Sequence, residues 1–226
     1  MIICPENPGL LRIMAIVYFN DYWLGSTKSP QETIKKAKEI LQKILAIDDN
    51  NPEAHAYLSA IYYTGREHDK AIAEGSRALS QAPGSAYANM YYALALYFGG
   101  RPEEAIPFIE KAMRLNPAAQ SSYYHTYGMA LRDTGRLEAA VASFKRAIER
   151  TPNYVWSHAM LSVAYIMMDR NEEARAEVAE VLRINPNFSL EYLAKTSAQK
   201  DRAILDNIIN SLRKAGLPDK SASAKP

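Results

Sequence analysis

The sequence is poor in the residue types that build disulfides, metal centres and charged binding surfaces. Its one cysteine, Cys4, cannot form an internal disulfide, so we expect a reducing, cytoplasmic setting. With 27 basic and 25 acidic residues the net charge is +2, too small to indicate binding to nucleic acid or to an anionic membrane. The four histidines lack the paired spacing of a zinc site, and no metal or cofactor is expected.

Long hydrophobic runs and catalytic motifs are also missing. The apolar run over residues 10–19 contains Arg12 and is too short to cross a bilayer, and no basic segment precedes it as in a signal peptide. Gly99 and Gly100 are not followed by the Gly-Lys-Ser/Thr of a phosphate-binding loop. The acidic pairs 103–104 and 172–173 open helices, where carboxylates favour the positive end of the helix dipole. We therefore expect no enzymatic activity.

What the chain does contain is a repeat. Four prolines recur at intervals of 34, 35 and 34 residues, and small residues recur at fixed offsets from each of them. The prolines are Pro83, Pro117, Pro152 and Pro186. The residues 24 positions before them are Ser59, Ala93, Gly128 and Ser162. Those twelve positions before them are Ala71, Ala105, Ala140 and Ala174, and those five positions before them are Ala78, Ala112, Ala147 and Val181. Small residues at fixed places let two helices approach closely. Each unit is therefore predicted to be a helical hairpin, with Gly128 intolerant of a larger side chain.

This pattern resembles that of the tetratricopeptide repeat over roughly residues 34–186. The unit with the best match carries Gly128, Gly135, Ala140, Phe144, Ala147 and Pro152. The resemblance implies an all-α fold, a right-handed superhelical solenoid of about twelve helices. The tryptophan common early in such repeats is replaced by His55, Asn89, Tyr124 and His158, and we expect a structural role for the two histidines.

The rest of the chain is predicted to flank the regular array. We expect a degenerate N-terminal repeat in residues 1–50 with helices over 10–24 and 30–47, four repeats in 51–186, capping helices in 187–218 and a disordered tail in 219–226. Ser29, Pro30 and Glu32 predict a capping box at the start of the second helix. The last helix is predicted over 201–215, with Ile204, Ile208, Ile209 and Leu212 on its covering face.

The candidate binding surface follows from the family resemblance. In tetratricopeptide arrays the concave wall is lined by the second, fifth, ninth, twelfth and thirteenth residues of each first helix. The partner-binding residues predicted in this way are Tyr63, Tyr87, Met90, Tyr97, Phe98, Met129, Arg132 and Trp156. This aromatic, Met-containing inventory suits an apolar helix or an extended peptide. The alternative is that some of these side chains are buried between neighbouring first helices or are covered by the terminal helices.

A narrower resemblance concerns the two ends of the chain. Residues 185–191, 200–201 and 212–218, together with Trp23, Gly25, Ser29 and Pro30, are similar to the ends of the tetratricopeptide region behind bacterial class III adenylate or guanylate cyclase domains. This implies, as an alternative, a regulatory segment in bacterial signalling that acts within its own chain or as a homodimer. A third hypothesis is a small-ligand sensor, which would require a closed pocket. The leading hypothesis remains a non-enzymatic scaffold for a protein or peptide partner.

Overall fold

The computed structural model describes residues 8–23, 27–118 and 120–221, which form twelve α-helices with no strand among them. This confirms the predicted all-α helical-repeat fold. The helices are α1 (Pro8–Trp23), α2 (Pro30–Ile47), α3 (Pro52–Thr64), α4 (His68–Gln81), α5 (Ala86–Phe98), α6 (Pro102–Leu115), α7 (Ser121–Asp133), α8 (Leu137–Arg150), α9 (Val155–Met167), α10 (Asn171–Ile184), α11 (Leu190–Thr196) and α12 (Arg202–Lys214). Within the described part of the chain, no helix is both long and apolar enough to cross a membrane.

The predicted helix limits at both ends are close to those observed. Helix α2 has the predicted extent, and α12 is one residue shorter than predicted at each end. The predicted connecting loop around Gly25 lies partly outside the described residues. The predicted disordered tail, 219–226, lies outside them from residue 222 onward. At its start the prediction of disorder was wrong for Asp219, because the Asp219 carbonyl oxygen accepts from the Glu191 N–H and its carboxylate pairs with Arg213. Cys4 also lies outside them.

The start of α2 differs from the predicted capping box. Ser29 is the N-cap residue and Pro30 occupies the first turn, as predicted, but the Ser29 side chain makes no capping hydrogen bond. Instead the Thr33 hydroxyl donates to the Ser29 carbonyl oxygen at 3.0 Å, and the Ser29 N–H donates to Thr27 Oγ1 at 3.1 Å. The capping-box prediction was therefore wrong, because two threonines supply the local partners.

The recurrent small residues are buried, and in three pairs they belong to helices that pack on each other: α3 with α4, α7 with α8, and α9 with α10. Those at twelve and five residues before each boundary proline are all fully buried. In two pairs the serine of the first helix also bonds to the second helix: Ser59 Oγ donates to the Ala71 carbonyl oxygen at 2.8 Å, and Ser162 Oγ to that of Ala174 at 2.9 Å. The close approach that the repeat pattern predicts is thus fixed by packing and by hydrogen bonds.

The turn between the two helices of a pair uses a left-handed backbone conformation at one recurring position. Gly100 and Gly135 occupy it with φ of 82° and 78°, and Arg66 and Asp169 with φ of 61° and 56°. A residue with a side chain is strained there, by about 1–2 kcal/mol. The backbone geometry of the turn is therefore retained even where glycine is absent.

The chain divides into two compact units, and the division falls inside α5. The N-terminal unit, Met1–Ala95, contains the pairs α1–α2 and α3–α4, with α2 packed against α3. The C-terminal unit, Leu96–Pro226, contains the pairs α7–α8 and α9–α10, and α6 and α8 pack against the first helix of the following pair. We call α1, α3, α5, α7 and α9 the first helices.

The last helix covers α9, but with a slightly different face from the one predicted. Leu205, Ile208 and Leu212 are buried, whereas Ile204 and Ile209 are only partly buried. The buried side of α12 is therefore rotated toward Leu205. Gly216, with φ of 98°, ends the helix, and the Leu217 N–H donates to the Leu212 carbonyl oxygen at 2.9 Å, which closes the last turn.

Candidate functional site

A row of aromatic rings runs along the first helices of the N-terminal unit. Phe19 lies on α1, Tyr57 on α3, and Tyr87 and Tyr91 on α5; we call these four residues the tyrosine row. Ring centroids are 5.5 Å apart between Phe19 and Tyr57, and 5.3 Å apart between Tyr57 and Tyr87. The Tyr87 and Tyr91 rings are 4.4 Å apart, and the Tyr87 hydroxyl donates to Tyr91 Oη at 3.1 Å. The rings therefore form a continuous surface across three helices.

The tyrosine row rests on small side chains and keeps part of its surface open. Tyr87 and Tyr91 pack against a cluster of buried alanines, Ala56, Ala78 and Ala88. Phe19 and Tyr57 are buried, whereas Tyr87 and Tyr91 are partly exposed. Tyrosine rings that are half-buried combine an apolar face with a hydroxyl that can reach a partner, which is the usual composition of a binding surface.

Two hydroxyls of the tyrosine row, those of Tyr57 and Tyr87, are uncharged. Burial raises the pKa of the Tyr57 hydroxyl, and burial together with the neighbouring tyrosine hydroxyls raises the pKa of Tyr87, so neither hydroxyl ionises near neutral pH. An exposed ion pair borders the row, with Arg12 Nη1 2.8 Å from Glu53 Oε2. The surface is therefore suited to apolar side chains and hydrogen-bonding backbone groups.

The C-terminal unit contains a set of buried side chains around an arginine. We call this set the arginine cluster; its members are Tyr97 at the end of α5, Arg132 and Asp133 on α7, and Met160 on α9. Arg132 is 1% exposed and contacts both carboxylate oxygens of Asp133, with Nε 2.7 Å from Oδ1 and Nη2 3.0 Å from Oδ2. The Tyr97 hydroxyl donates to Asp133 Oδ2 at 2.8 Å and accepts from Arg132 Nη2 at 3.3 Å. Arg132 Nη1 also contacts Met160 Sδ at 2.9 Å.

The charges of the arginine cluster compensate one another. Burial lowers the pKa of the Arg132 guanidinium, but the Asp133 carboxylate and the Tyr97 hydroxyl more than offset this, so the pKa is raised overall. Burial and the Asp133 charge raise the pKa of Tyr97. Next to the cluster, burial and the Arg132 charge lower the pKa of His125 to about 3, so its ring is neutral and bonds through Nδ1 to Ser157 Oγ at 3.1 Å. The cluster is thus a buried charge pair in which each charge has its partner.

The segment after α11 covers part of this region. The Lys200 N–H donates to the Phe98 carbonyl oxygen at 3.0 Å, and the Gln199 side chain lies beside the Tyr97 hydroxyl. Trp156 on α9 packs against the same C-terminal region, with its ring 5.1 Å from that of Phe188 and 6.3 Å from that of Tyr192. The sequence left open whether the terminal helices cover some of the predicted binding residues. In the C-terminal unit they do, at Tyr97, Phe98 and Trp156.

The structure places the predicted partner-binding residues in different environments. Tyr63, Met90, Tyr97, Met129 and Arg132 are buried, whereas Tyr87, Phe98 and Trp156 are partly exposed. Tyr97 and Arg132 are brought together, but inside the arginine cluster and not on a free surface. Of the eight predicted residues, Tyr87 alone belongs to the tyrosine row.

Sequence reasoning missed Phe19, Tyr57 and Tyr91, which complete that row. The two tyrosines occupy the sixth position of their first helix, which was not among the positions taken from the family pattern. Their signal is nevertheless in the sequence, because two tyrosines 34 residues apart occupy the same place in consecutive repeats. An aromatic residue that repeats in register with the array indicates a shared face.

The two histidines at the position of the usual tryptophan make the same contacts in both units. His55 Nδ1 lies 2.5 Å from Glu74 Oε2 and its Nε2 2.9 Å from the Asp49 carbonyl oxygen. His158 Nδ1 lies 2.6 Å from Glu177 Oε2 and its Nε2 2.9 Å from the Pro152 carbonyl oxygen. A ring that faces two acceptors donates to both when it is doubly protonated. Each histidine therefore ties a first helix to its second helix and to the preceding turn.

Stability should depend on pH through His158. The hydrogen bond to Glu177 raises the pKa of His158 above its ordinary value of 6.5, with a smaller opposing effect of burial. Because the folded-state pKa is higher than the unfolded one, this contribution is complete below about pH 6.5 and is lost as the pH rises through the folded-state value. We expect the urea midpoint to fall between pH 6 and 9 more steeply in the wild type than in a Glu177→Gln variant. Equal slopes in the two proteins would contradict this expectation.

In the described residues, 8–23, 27–118 and 120–221, no three histidine, cysteine, aspartate or glutamate side chains are grouped so that they could hold a metal ion. An open cleft of about 400 Å³ lies in the N-terminal unit, lined by Leu45, Asp49, Asn50, His55, Arg77 and Gln81. His55 is already bonded at both ring nitrogens there. The tyrosine row is therefore the better candidate for a functional surface.

Comparison with protein families gives one consistent result. A tetratricopeptide repeat model matches residues 31–90 and 131–198, and a second tetratricopeptide repeat model matches residues 76–120. Among curated proteins, the chain is 26% identical over 181 residues to the TPR repeat-containing protein YpiA of Bacillus subtilis, a match that covers 79% of this chain and 40% of that protein. It is 24% identical over 162 residues to cellulose synthase operon protein C of Pseudomonas fluorescens, covering 67% and 12%. The chain thus spans less than half the length of these curated relatives.

Solved structures agree on the fold. The structure of PilW, described as a type IV pilus biogenesis factor, matches 92% of this chain and 90% of its own, with a TM-score of 0.69 at 19% identity. YrrB, described as a TPR protein with an unusual peptide-binding site, matches 81% of this chain and 92% of its own, with a TM-score of 0.55 at 22% identity. At these identities the likeness is one of architecture.

Proposed function

Since the chain belongs to the tetratricopeptide repeat family, whose members generally mediate protein–protein interactions, we propose that it is a scaffold that binds a peptide or helix on the tyrosine row. One observation carries this proposal. Tyr57, Tyr87 and Tyr91 form a continuous ring surface on α3 and α5, and Tyr87 and Tyr91 remain partly exposed.

The chemistry of the row favours an apolar partner. The Tyr57 and Tyr87 hydroxyls are neutral, and Arg12 and Glu53 at the edge of the row pair with each other. An amphipathic helix could place leucine-type side chains against the rings, and an extended peptide could offer backbone groups to the hydroxyls. That YrrB, a protein of the same fold, has a peptide-binding site is in keeping with this class of partner.

The sequence predicted partner-binding residues in both units. In this proposal only the N-terminal unit binds the partner. Tyr97 and Arg132 are engaged with Asp133, and Trp156 packs on Phe188 and Tyr192, so these three side chains are already partnered within the chain. In the tyrosine row, by comparison, the Tyr87 and Tyr91 rings are partly exposed.

The proposal is tested by affinity capture followed by mass spectrometry. The bait is the full chain, used as wild type, Tyr87→Ala, Tyr91→Ala and Arg77→Ala. A ring at the centre of an interface typically contributes about 1–3 kcal/mol, so the recovered partner should bind each tyrosine variant roughly 5- to 150-fold more weakly in titration. The Arg77→Ala control changes an exposed side chain on α4 of the same unit and should bind as the wild type does.

Two further measurements make the test specific. Tyr87→Phe keeps the ring and removes only the hydroxyl, so it should retain most of the affinity. Raising the salt concentration should weaken binding only slightly, because few ion pairs are available to screen. If the alanine variants keep the wild-type helical content by circular dichroism and bind the partner unchanged, the tyrosine row is not the binding surface.

A further inference from the structure

The outer side of α1 exposes a stripe of apolar side chains. Of the exposed large apolar side chains in the described part of the chain, three lie on α1, whereas α2, α6 and α11 carry one each. The three are Ile13, Met14 and Val17, which are exposed to 55%, 38% and 50%, and the partly buried Leu10 precedes them. We call these four residues the outer stripe. Their spacing of i, i+3, i+4 and i+7 places them on one face of the helix.

The opposite side of α1 is apolar as well. Leu11, Ala15 and Phe19 are buried in the N-terminal unit, where α1 packs on α2 and α3. Arg12 is the only charged residue in 10–19, and its Nη1 lies 2.8 Å from Glu53 Oε2 on α3. A helix that is apolar all round is normally covered on every side. The outer stripe is therefore a surface that a further helix should cover.

The next pair of helices shows what this side of a first helix does when it is covered. Val17 stands two residues before Phe19, as His55 stands two residues before Tyr57, and Phe19 and Tyr57 are ring neighbours in the tyrosine row. His55 is 3% exposed, and its Nε2 bonds to the Asp49 carbonyl oxygen in the turn that precedes α3. This side of α3 is thus packed against the preceding element, whereas the equivalent side of α1 is open.

The charges on the other helices favour a second copy of α1 as the cover. In the described residues, the even-numbered helices from α2 to α12 all expose charged side chains; examples are Lys35, Lys70, Glu103, Lys145, Arg175 and Asp206. A charge that is packed against an apolar stripe loses its water without gaining a partner, which costs free energy. The outer stripe carries no charge, so two copies of it can meet without this cost. A surface that pairs with itself is what a two-fold symmetric dimer requires.

We propose that the outer stripe is the interface of a homodimer, in which α1 packs antiparallel on α1 of a second copy. The intervals within the stripe are 3, 1 and 3 residues, so it reads the same in both chain directions. An antiparallel pair therefore places Ile13 of each copy opposite Met14 of the other. This proposal does not rest on the tyrosine row, because Phe19 lies on the opposite side of α1.

The size of the outer stripe predicts a reversible dimer. Helix α1 has 16 residues and is about 24 Å long. A face of that length and about 10 Å in width is far smaller than the roughly 800 Å² that each partner buries in a standard interface. We therefore expect monomer and dimer to exchange in the micromolar concentration range.

Sedimentation velocity of the full chain over about 1 to 100 μM tests the dimer. The wild type should change from monomer to dimer across this range. Ile13→Glu places a carboxylate in the apolar interface and should weaken the dimer at least tenfold. Ile47→Glu is the matched control, because Ile47 is 59% exposed on α2 outside the stripe, and this variant should dimerise as the wild type does. Circular dichroism checks that both variants keep their helical content.

A mixture of two variants tests the antiparallel arrangement. Met14→Lys should by itself weaken the dimer as Ile13→Glu does. When the two variants are mixed, the carboxylate at position 13 of one copy lies opposite the ammonium group at position 14 of the other. Native mass spectrometry should then show a heterodimer that is at least tenfold more stable than either homodimer. A mixture that stays as monomeric as its components would overturn the proposal.

Other covers of the outer stripe give different results, each of which contradicts the proposal. A wild type that dimerises only after removal of residues 1–7 would identify these residues as the cover. Loss of the dimer in Tyr87→Ala would show that the outer stripe docks on the tyrosine row of the next copy. A monomeric wild type that floats with phosphatidylglycerol vesicles, while Ile13→Glu does not, would identify a lipid surface. A wild type that stays monomeric throughout would likewise overturn the homodimer.

Discussion

Replacing Arg132 with alanine should lower the free energy of unfolding by about 3–5 kcal/mol, because it leaves Asp133 as a buried charge without its partner. The Arg132 side chain is fully buried and that of Asp133 nearly so, and the Tyr97 hydroxyl bonds to both. Solvent therefore cannot replace the lost guanidinium without local opening. Chemical denaturation of the two proteins at neutral pH measures the difference.

The double variant Arg132→Met with Asp133→Asn removes both charges at once. It therefore distinguishes the cost of leaving one charge unpaired from the cost of losing the ion pair. Removing both charges avoids the unpaired carboxylate, so this protein should recover a large part of the stability that Arg132→Ala loses. Tyr97→Phe should cost about 1 kcal/mol, the size of one hydrogen bond. A loss below about 1 kcal/mol for Arg132→Ala would mean that water reaches Asp133 and that the arginine cluster is not sealed.

Gly128→Val should destabilise the fold by about 2–3 kcal/mol through overpacking. A Cβ atom at position 128 would lie 2.6 Å from Phe144 Cε1 and 2.7 Å from Phe144 Cδ1, closer than carbon atoms can approach. Phe144 is fully buried, so its ring cannot swing out into solvent without opening the core. Thermal or urea unfolding of the variant gives the size of the effect.

A second substitution shows whether Phe144 causes this loss. Phe144→Leu removes the atoms that would clash, so Gly128→Val should cost clearly less in the Phe144→Leu background than in the wild type. The difference between the two costs is the coupling energy of the pair, which we expect to be about 1–2 kcal/mol. An unchanged melting temperature for Gly128→Val alone would place Gly128 away from the contact between α7 and α8.

These two positions also illustrate which parts of the structure can be predicted from the sequence. Gly128 belongs to a periodic pattern. Such a pattern is a strong signal because every repeat must pack its two helices in the same way and therefore needs a small residue at the same position. The start of α2 followed similarly from Pro30, because proline is favoured at the first position of a helix. The capping-box prediction failed because a short motif shows only which hydrogen bonds could form. Thr27 and Thr33 form hydrogen bonds with the Ser29 backbone instead.

The arginine cluster and its cover could not be predicted in this way. Arg132 and Asp133 are adjacent in the chain, and the family pattern places them on the concave wall, where Arg132 was predicted to bind a partner. In the structure they contact Met160 and Tyr97, and the segment around Gln199, which lies beyond the last repeat and follows no period, lies beside Tyr97. The narrower resemblance to cyclase-associated regions also rests on these non-repetitive ends and stays a prediction, as does homodimer formation.

Trp156 gives the chain an internal optical reporter. It is one of two tryptophans, and its ring lies against Phe188 and Tyr192 at the point where the C-terminal segment leaves the last helical pair. When Trp23 is replaced by phenylalanine, Trp156 is the remaining tryptophan, and all indole emission comes from it. The packing of α11 against α9 can then be followed by fluorescence during unfolding, in real time and without an attached dye.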